Sequence, residues 1–313
     1  MALYIVVDFL TFTAVMENVY GESAALITAF CWTLTASFFE SAGKKVGSLS
    51  VNIIRLWFAV IIYFVFLWIY RGSPFPDDAG QHQWIWLSLS GLAGFVIGDL
   101  FLFQSFVILG ARISLLIMAL VPPFTAILGR LFLNEILDVK SIIAMTMTLS
   151  GIALVILNKK RGEKIKSRVP LYGFLIALIG ALGQAGGLVL SKYGMNGYDA
   201  FASSQIRIFT GAVGFLILIS IVRKWKNVIA TFGNSSAIKD ISLGTIFGPF
   251  LGVSFSLIAL KYTEAGIAAT IMAITPVLII PLVIFKNKEK VNIKEIIGSV
   301  IAVIGVALLF MDL

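Results

Sequence analysis

Five ionisable side chains lie within or at the edges of long apolar stretches of this chain: Glu40, Arg55, Asp99, Lys192 and Arg207. A charge at the centre of a bilayer costs on the order of 2.5–3.5 kcal/mol even on insertion scales, so such a group faces a partner, a watery path or a proton. Asp99 sits well inside its stretch, which suits either a proton site or ligand contact, or a carboxylate paired with arginine to hold helices together. Glu40 and Arg55 lie toward the same end of their stretches as Asp99, and are expected to form a charged cluster there or to snorkel toward water. Glu40 also stands four residues before Lys44, a helical pairing distance. Lys192 and Arg207 hold the corresponding places later in the chain, where snorkelling toward water is again expected; neither has an acid nearby in its own stretch, a pattern that also suits an anionic group.

Polar and conformational residues accompany these charges. The amides of Gln104, Gln184 and Gln205 can both donate and accept, toward a polar solute or between helices. Pro122, Pro123, Pro276 and Pro281 remove amide donors inside apolar runs, so each predicts a kink that is either fixed or used for gating. Gly94 and Gly98 share a four-residue spacing with Ser90, as do Gly244, Gly248 and Gly252, which predicts helix faces where another backbone packs closely. Gly180, Gly183, Gly186 and Gly187 bare a further face. One histidine, His82, and one cysteine, Cys31, offer no basis for a histidine-rich metal site, a His-centred triad or an intrachain disulfide. No cofactor is expected. A Gly-rich nucleotide loop ending in Lys and Ser/Thr is missing, so the chain carries no sign of ATP drive.

The elements that position these residues are helices in lipid. With 59% hydrophobic and 13% charged residues among 313, and a mean hydropathy of +1.00, the apolar surface exceeds what a soluble core can hide. Ten apolar runs near the length of a membrane-crossing helix fall at 24–43, 51–70, 84–106, 113–133, 141–157, 171–190, 200–222, 241–260, 267–285 and 293–310. Residues 1–21 precede them as a peripheral extension or short extra span, and the basic stretch 158–170 divides five runs from five.

The two halves, 22–157 and 171–313, echo one another. At an offset of 154, Ala111, Ile117, Met118, Pro122, Glu135, Lys140, Gly151 and Leu154 fall on Ala265, Ile271, Met272, Pro276, Glu289, Lys294, Gly305 and Leu308. Gly94 and Gly98 fall on Gly248 and Gly252 at that offset, whereas Arg55 falls on Arg207, and Glu40 on Lys192, at 152. A repeat with an odd number of crossings must start its second copy from the opposite face, so the fold expected is an all-α integral membrane protein of ten helices in two inverted five-helix repeats.

These residues resemble the EamA-type members of the drug/metabolite transporter superfamily over about residues 22–311. The likeness rests on Gly98–Asp99 followed by Phe103 and Gln104, the Leu109–Ala111 turn, the Leu120–Phe124 proline segment, Glu135 and Gly151. It rests in the second half on the Ala259–Gly266 stretch, Pro276, Glu289 and Gly305. The resemblance implies a secondary carrier of small organic solutes (amino acids, metabolites or drug-like compounds) in the cytoplasmic membrane, with the path between the halves and alternating access. Efflux is the expected direction, protons are the candidate coupling ion, and the oligomeric state is open, a monomer being compatible with a path between the halves. Glu40 departs from the family, which often has Lys at that place, so the substrate is not carried over.

Of the 24 Lys and Arg residues, 17 lie in loops after odd-numbered runs or at their edges, and 5 in or at the edges of those after even-numbered ones. The positive-inside rule makes the basic face cytoplasmic and puts both ends of the ten-run core outside, opposite to what the resemblance implies. The basic loops thereby act as orientation signals and not as a nucleic-acid surface. Two other readings remain at this stage. Gly98–Asp99 with Tyr198 and Asp199 is a faint match to an intramembrane aspartyl-type hydrolase, although Val96 replaces the first glycine of that pattern. A non-transporting scaffold or accessory subunit is the other.

Overall fold

The computed structural model describes residues 2–109, 114, 117–157, 170–278 and 293–310, and side chains from 17 onward within those, except at 40, 106 and 107. All regular structure among them is helical. In chain order it comprises α1 (Ala2–Val46), α2 (Ser48–Arg71), α3 (Gln81–Gly91), π1 (Leu92–Asp99), α4 (Leu100–Leu109), α5 (Val121–Phe132), α6 (Val139–Leu157), α7 (Leu171–Met195) and α8 (Ala200–Val222). The short α9 (Trp225–Thr231) follows, then α10 (Ser235–Thr245), π2 (Ile246–Gly252), α11 (Val253–Tyr262), α12 (Ala265–Met272) and α13 (Ile293–Leu309). Seven helices among the described residues are long and apolar enough to cross a membrane, and Val121–Phe132 and Ala265–Leu278 are shorter apolar helices.

Local structure departs from plain apolar runs in three places. Residues 2–20 belong to the same helix as the first run, since α1 continues through them without a break. The third and eighth runs are not plain α-helices: each widens into a π-helical segment, and the first residues of these segments, Leu92 and Ile246, are 154 apart. In π2 the cause is legible. Pro249 has no N–H and its ring crowds the preceding turn, and the wider turn relieves both defects. The fourth and ninth runs are interrupted by turns at Ala119–Leu120 and Ala273–Ile274. Pro122 and Pro123 therefore do not kink a helix interior; they lie in the first turn of α5, where their missing donors leave nothing unpaired. Pro276 likewise follows the second turn closely. Pro281 lies outside the described residues.

Packing follows the repeat. The α3–π1–α4 column runs antiparallel to α7: Ser90 donates to the Gly187 carbonyl at 2.6 Å, while a Cβ on Gly194 would meet Leu87 and one on Gly173 would meet Leu109. The α10–π2–α11 column runs antiparallel to α1 in the same manner. Tyr20 stacks edge-on against Tyr262, Gly248 faces Thr35, Gly244 faces Phe39, and Ser41 and Lys45 both donate to Asp240 at 2.7 Å. The counterpart helices α6 and α13 pack directly on each other with their glycines exchanged. A Cβ on Gly151 would lie 2.5 Å from the backbone of Gly298 and Ala302, and one on Gly305 would lie 2.6 Å from the backbone nitrogen of Thr148. Such contact lets dispersion act between backbones where lipid supplies no hydrophobic drive.

Candidate functional site

The centre forms where α2 and α8 meet the π-bearing columns. Arg55 in α2 is ion-paired with Asp99, the last residue of π1, and its guanidinium also stands 5.3 Å from the Phe39 ring and 5.9 Å from that of Phe103. Gln184 in α7 donates to the second carboxylate oxygen of Asp99 at 2.8 Å and to the Gly94 carbonyl at 3.2 Å. One amide thus holds the acid and occupies a carbonyl of the π segment, whose widened turn presents acceptors to a neighbouring side chain. Gly98 makes this approach possible, since a Cβ there would lie 2.8 Å from the Gln184 amide nitrogen.

Arg207 reaches the same centre from α8. It is 5% exposed, its guanidinium lies 5.2 Å from the Phe95 ring, and it is within electrostatic reach of both Asp99 and Tyr63. Among the described residues it makes no ion pair or side-chain hydrogen bond, and its Nε is buried without a partner. Tyr63 satisfies carbonyls of the other π segment, donating to Phe250 at 3.0 Å and approaching Pro249 at 3.2 Å, and it also meets the Ser254 hydroxyl at 2.7 Å. Arg55 and Arg207 are therefore not interfacial cations that snorkel to water; both are buried because the fold provides aromatic faces and, for Arg55, a carboxylate.

A second polar group lies at one end of the bundle. Lys192 is ion-paired with Glu135 and donates to the Thr263 carbonyl at 2.7 Å, so the acid lacking in its own helix comes from the loop after α5. Glu135 also accepts from the Ala265 amide at 2.9 Å, capping α12 where the helix dipole favours an anion. An open cleft of ≈ 490 Å³ borders this pair, with Asn18, Lys261 and Tyr262 on its rim.

The other sequence candidates fall elsewhere. Gln205 donates to the Pro74 carbonyl at 2.8 Å and fastens a loop, and Gln104 is exposed. The side chain of Glu40 lies outside the described ones. Gly252 sits against the Trp32 indole nitrogen, which occupies in the second half the place that Gln184 takes in the first. Tyr198 and Asp199 are no catalytic pair: the Tyr198 hydroxyl donates to Asp78 at 2.6 Å, and Asp199 caps α8 by accepting from Ala202 at 2.8 Å. Sequence reasoning passed over Tyr63, Trp32 and Pro249. The signal for Pro249 was a proline between two glycines of a close-packing stripe, and the signal for the other two was their register with the repeat.

The fold and site define a multi-pass helical membrane protein with a charged group buried at its centre. The EamA-like transporter family model matches residues 19–157 and 171–311, and the chain belongs to that family. Membership in a family of transporters sets the hydrolase reading aside. A protein of Clostridium kluyveri called an uncharacterized transporter is 26% identical over 182 residues, a match that spans 58% of either chain. A crystal structure of another protein, 14% identical, superposes with a TM-score of 0.71 over 94% of this chain and 96% of its own, a likeness of fold.

Proposed function

We propose that the protein is a secondary transporter that moves a small organic solute across the cytoplasmic membrane by alternating access, in the direction of efflux. The carrying observation is the buried group of Arg55, Asp99, Gln184 and Arg207, contributed by both repeats at the seam between them. Charges buried this way are costly unless they meet a partner or serve a path. Ten crossings in two inverted repeats are the architecture proposed. Its support is the antiparallel contact of equivalent helices α6 and α13, together with the exchange that sets α7 on the α3–π1–α4 column and α1 on the α10–π2–α11 column. Inversion lets the bundle open to either side by swapping the conformations of its halves.

In this reading the Asp99 carboxylate is the coupling group, released from Arg55 when it takes a proton, and the Glu135–Lys192 pair closes one end of the path. The broken helices preceding Pro122 and Pro276 supply the hinges. The basic loops face the cytoplasm, which places the Glu135–Lys192 end outside. Counterflow with purified protein in liposomes tests the function: accumulation of labelled solute against unlabelled solute is expected, with Asp99→Asn abolishing the effect of an imposed pH gradient. Folded Asp99→Asn protein with unchanged rate and pH response would remove Asp99 from coupling, and a cytoplasmic reporter that stays active when fused after Leu313 would reverse the orientation.

A further inference from the structure

Taking the transporter reading as its basis, we infer that Arg207 and Ser203 form the anchor for the carboxylate of a small organic monoanion. The two residues are four apart on α8 and so share one helix face. The Ser203 hydroxyl is fully buried and unpartnered, as is the Arg207 Nε, and a buried donor without an acceptor is destabilising unless a ligand supplies one. Gly94 faces the guanidinium, and a Cβ there would lie 3.5 Å from the Arg207 Nη2.

The Arg55 Nε is buried without a partner as well, so the two halves differ not there but in the acid: Arg55 is ion-paired with Asp99, and Arg207 makes no ion pair among the described residues. Arg55 and Arg207 are equivalent at an offset of 152, and the residue equivalent to Asp99 at the offset of 154 is Val253. Thus Arg55 has its carboxylate within the chain, while the position that the register of the repeat makes equivalent to that acid is a valine in the second copy. The described charges of the centre are two guanidiniums and one carboxylate, an excess of one positive charge that a single carboxylate neutralises. A dianionic phosphate would overshoot it. The ring of Phe95, already against Arg207, offers an apolar surface for the body of the solute.

The test uses full-length protein in liposomes and matched probes: benzoate with benzamide, lactate with lactamide, N-acetylphenylalanine with phenylalanine, and phenyl phosphate. We expect at least one carboxylate to exchange tenfold or more faster than its neutral or zwitterionic match, and faster than phenyl phosphate. Arg207→Gln should reduce that exchange to the level of the amide, Arg207→Lys should retain part of it, and Ser203→Ala should slow it severalfold. Val253→Asp, which supplies the missing acid internally, should abolish it while leaving the melting temperature equal or higher. Equal exchange of a carboxylate and its match, preference for the phosphate, or folded Arg207→Gln and Ser203→Ala proteins with wild-type carboxylate exchange would overturn the anchor and leave the carrier standing. Failure of folded wild-type protein to exchange any probe would overturn both.

Discussion

In the first half of the molecule an arginine is fastened on several sides; in the second, its counterpart is fastened on few. Arg55 has Asp99, and Asp99 has Gln184, which also serves the π1 backbone. Arg207 has the Phe95 face, and the positions that would complete the set carry Val253 and Trp32. Duplication alone would yield two equal half-sites. The two copies have diverged at these positions, so that among the described residues one arginine has an acid and the other has none. In the carrier proposed above, the closed pair opens when protonated while the open one receives cargo.

The strongest way to break this comparison is to remove the acid. Asp99→Ala leaves Arg55 buried and unpaired and should cost about 3–5 kcal/mol, whereas Val253→Ala should cost only about 1–2 kcal/mol in lost burial. Denaturation in micelles measures both, and equal losses would mean that Arg55 draws no stability from its partner. Next in size is steric crowding. Gly151→Ala drives a Cβ to 2.5 Å from the facing backbone and should cost about 1–3 kcal/mol, while Gly94→Ala meets its nearest atom, the end of the Arg207 side chain, at 3.5 Å and should melt within a few degrees of wild type. Its effect should instead appear as slowed solute exchange.

Tyr63→Phe sharpens the comparison from the other side. It strips hydrogen bonds from the Phe250 and Pro249 carbonyls and should cost about 1 kcal/mol, less than Gln184→Leu, whose lost bond is to a charged group and is worth about 1.5–3 kcal/mol. The smallest effect belongs outside the membrane. The Tyr198 hydroxyl, and with it Arg71, holds the Asp78 carboxyl below its ordinary 3.8, so the cluster adds stability above that value and loses it as pH falls through the lower folded value. Because Asp78 is largely exposed, well under 1 kcal/mol is expected, seen as a shallow loss of melting temperature in acid that Asp78→Asn abolishes.

How far the molecule could be read from its sequence depends on the distance over which each feature is determined. The apolar runs, the repeat and Asp99 as a charge inside a run were legible, because span length and the cost of charge in lipid are local properties. The burial of Arg55 and Arg207 was not, since residues near the ends of runs can equally snorkel to water. The broken fourth and ninth helices were partly so: their prolines marked trouble, yet a proline at a helix start and one in its interior differ only by where the preceding turn falls. The π segments were not legible, apart from Pro249, since an extra residue in a turn alters no periodicity that so apolar a run displays. The acid for Lys192 lay in a loop whose return could not be placed.

From composition, run length and internal repetition the sequence by itself determined a duplicated helical membrane protein and the charges it must shelter. Only the tertiary structure decided which charge meets which: Glu135 with Lys192, Asp99 with Arg55 and Gln184, and Arg207 with no acid among the described residues. The reason is physical. Insertion energies depend on a residue and its immediate neighbours, whereas ion pairing falls off over a few ångströms and therefore depends on which helices the fold sets side by side.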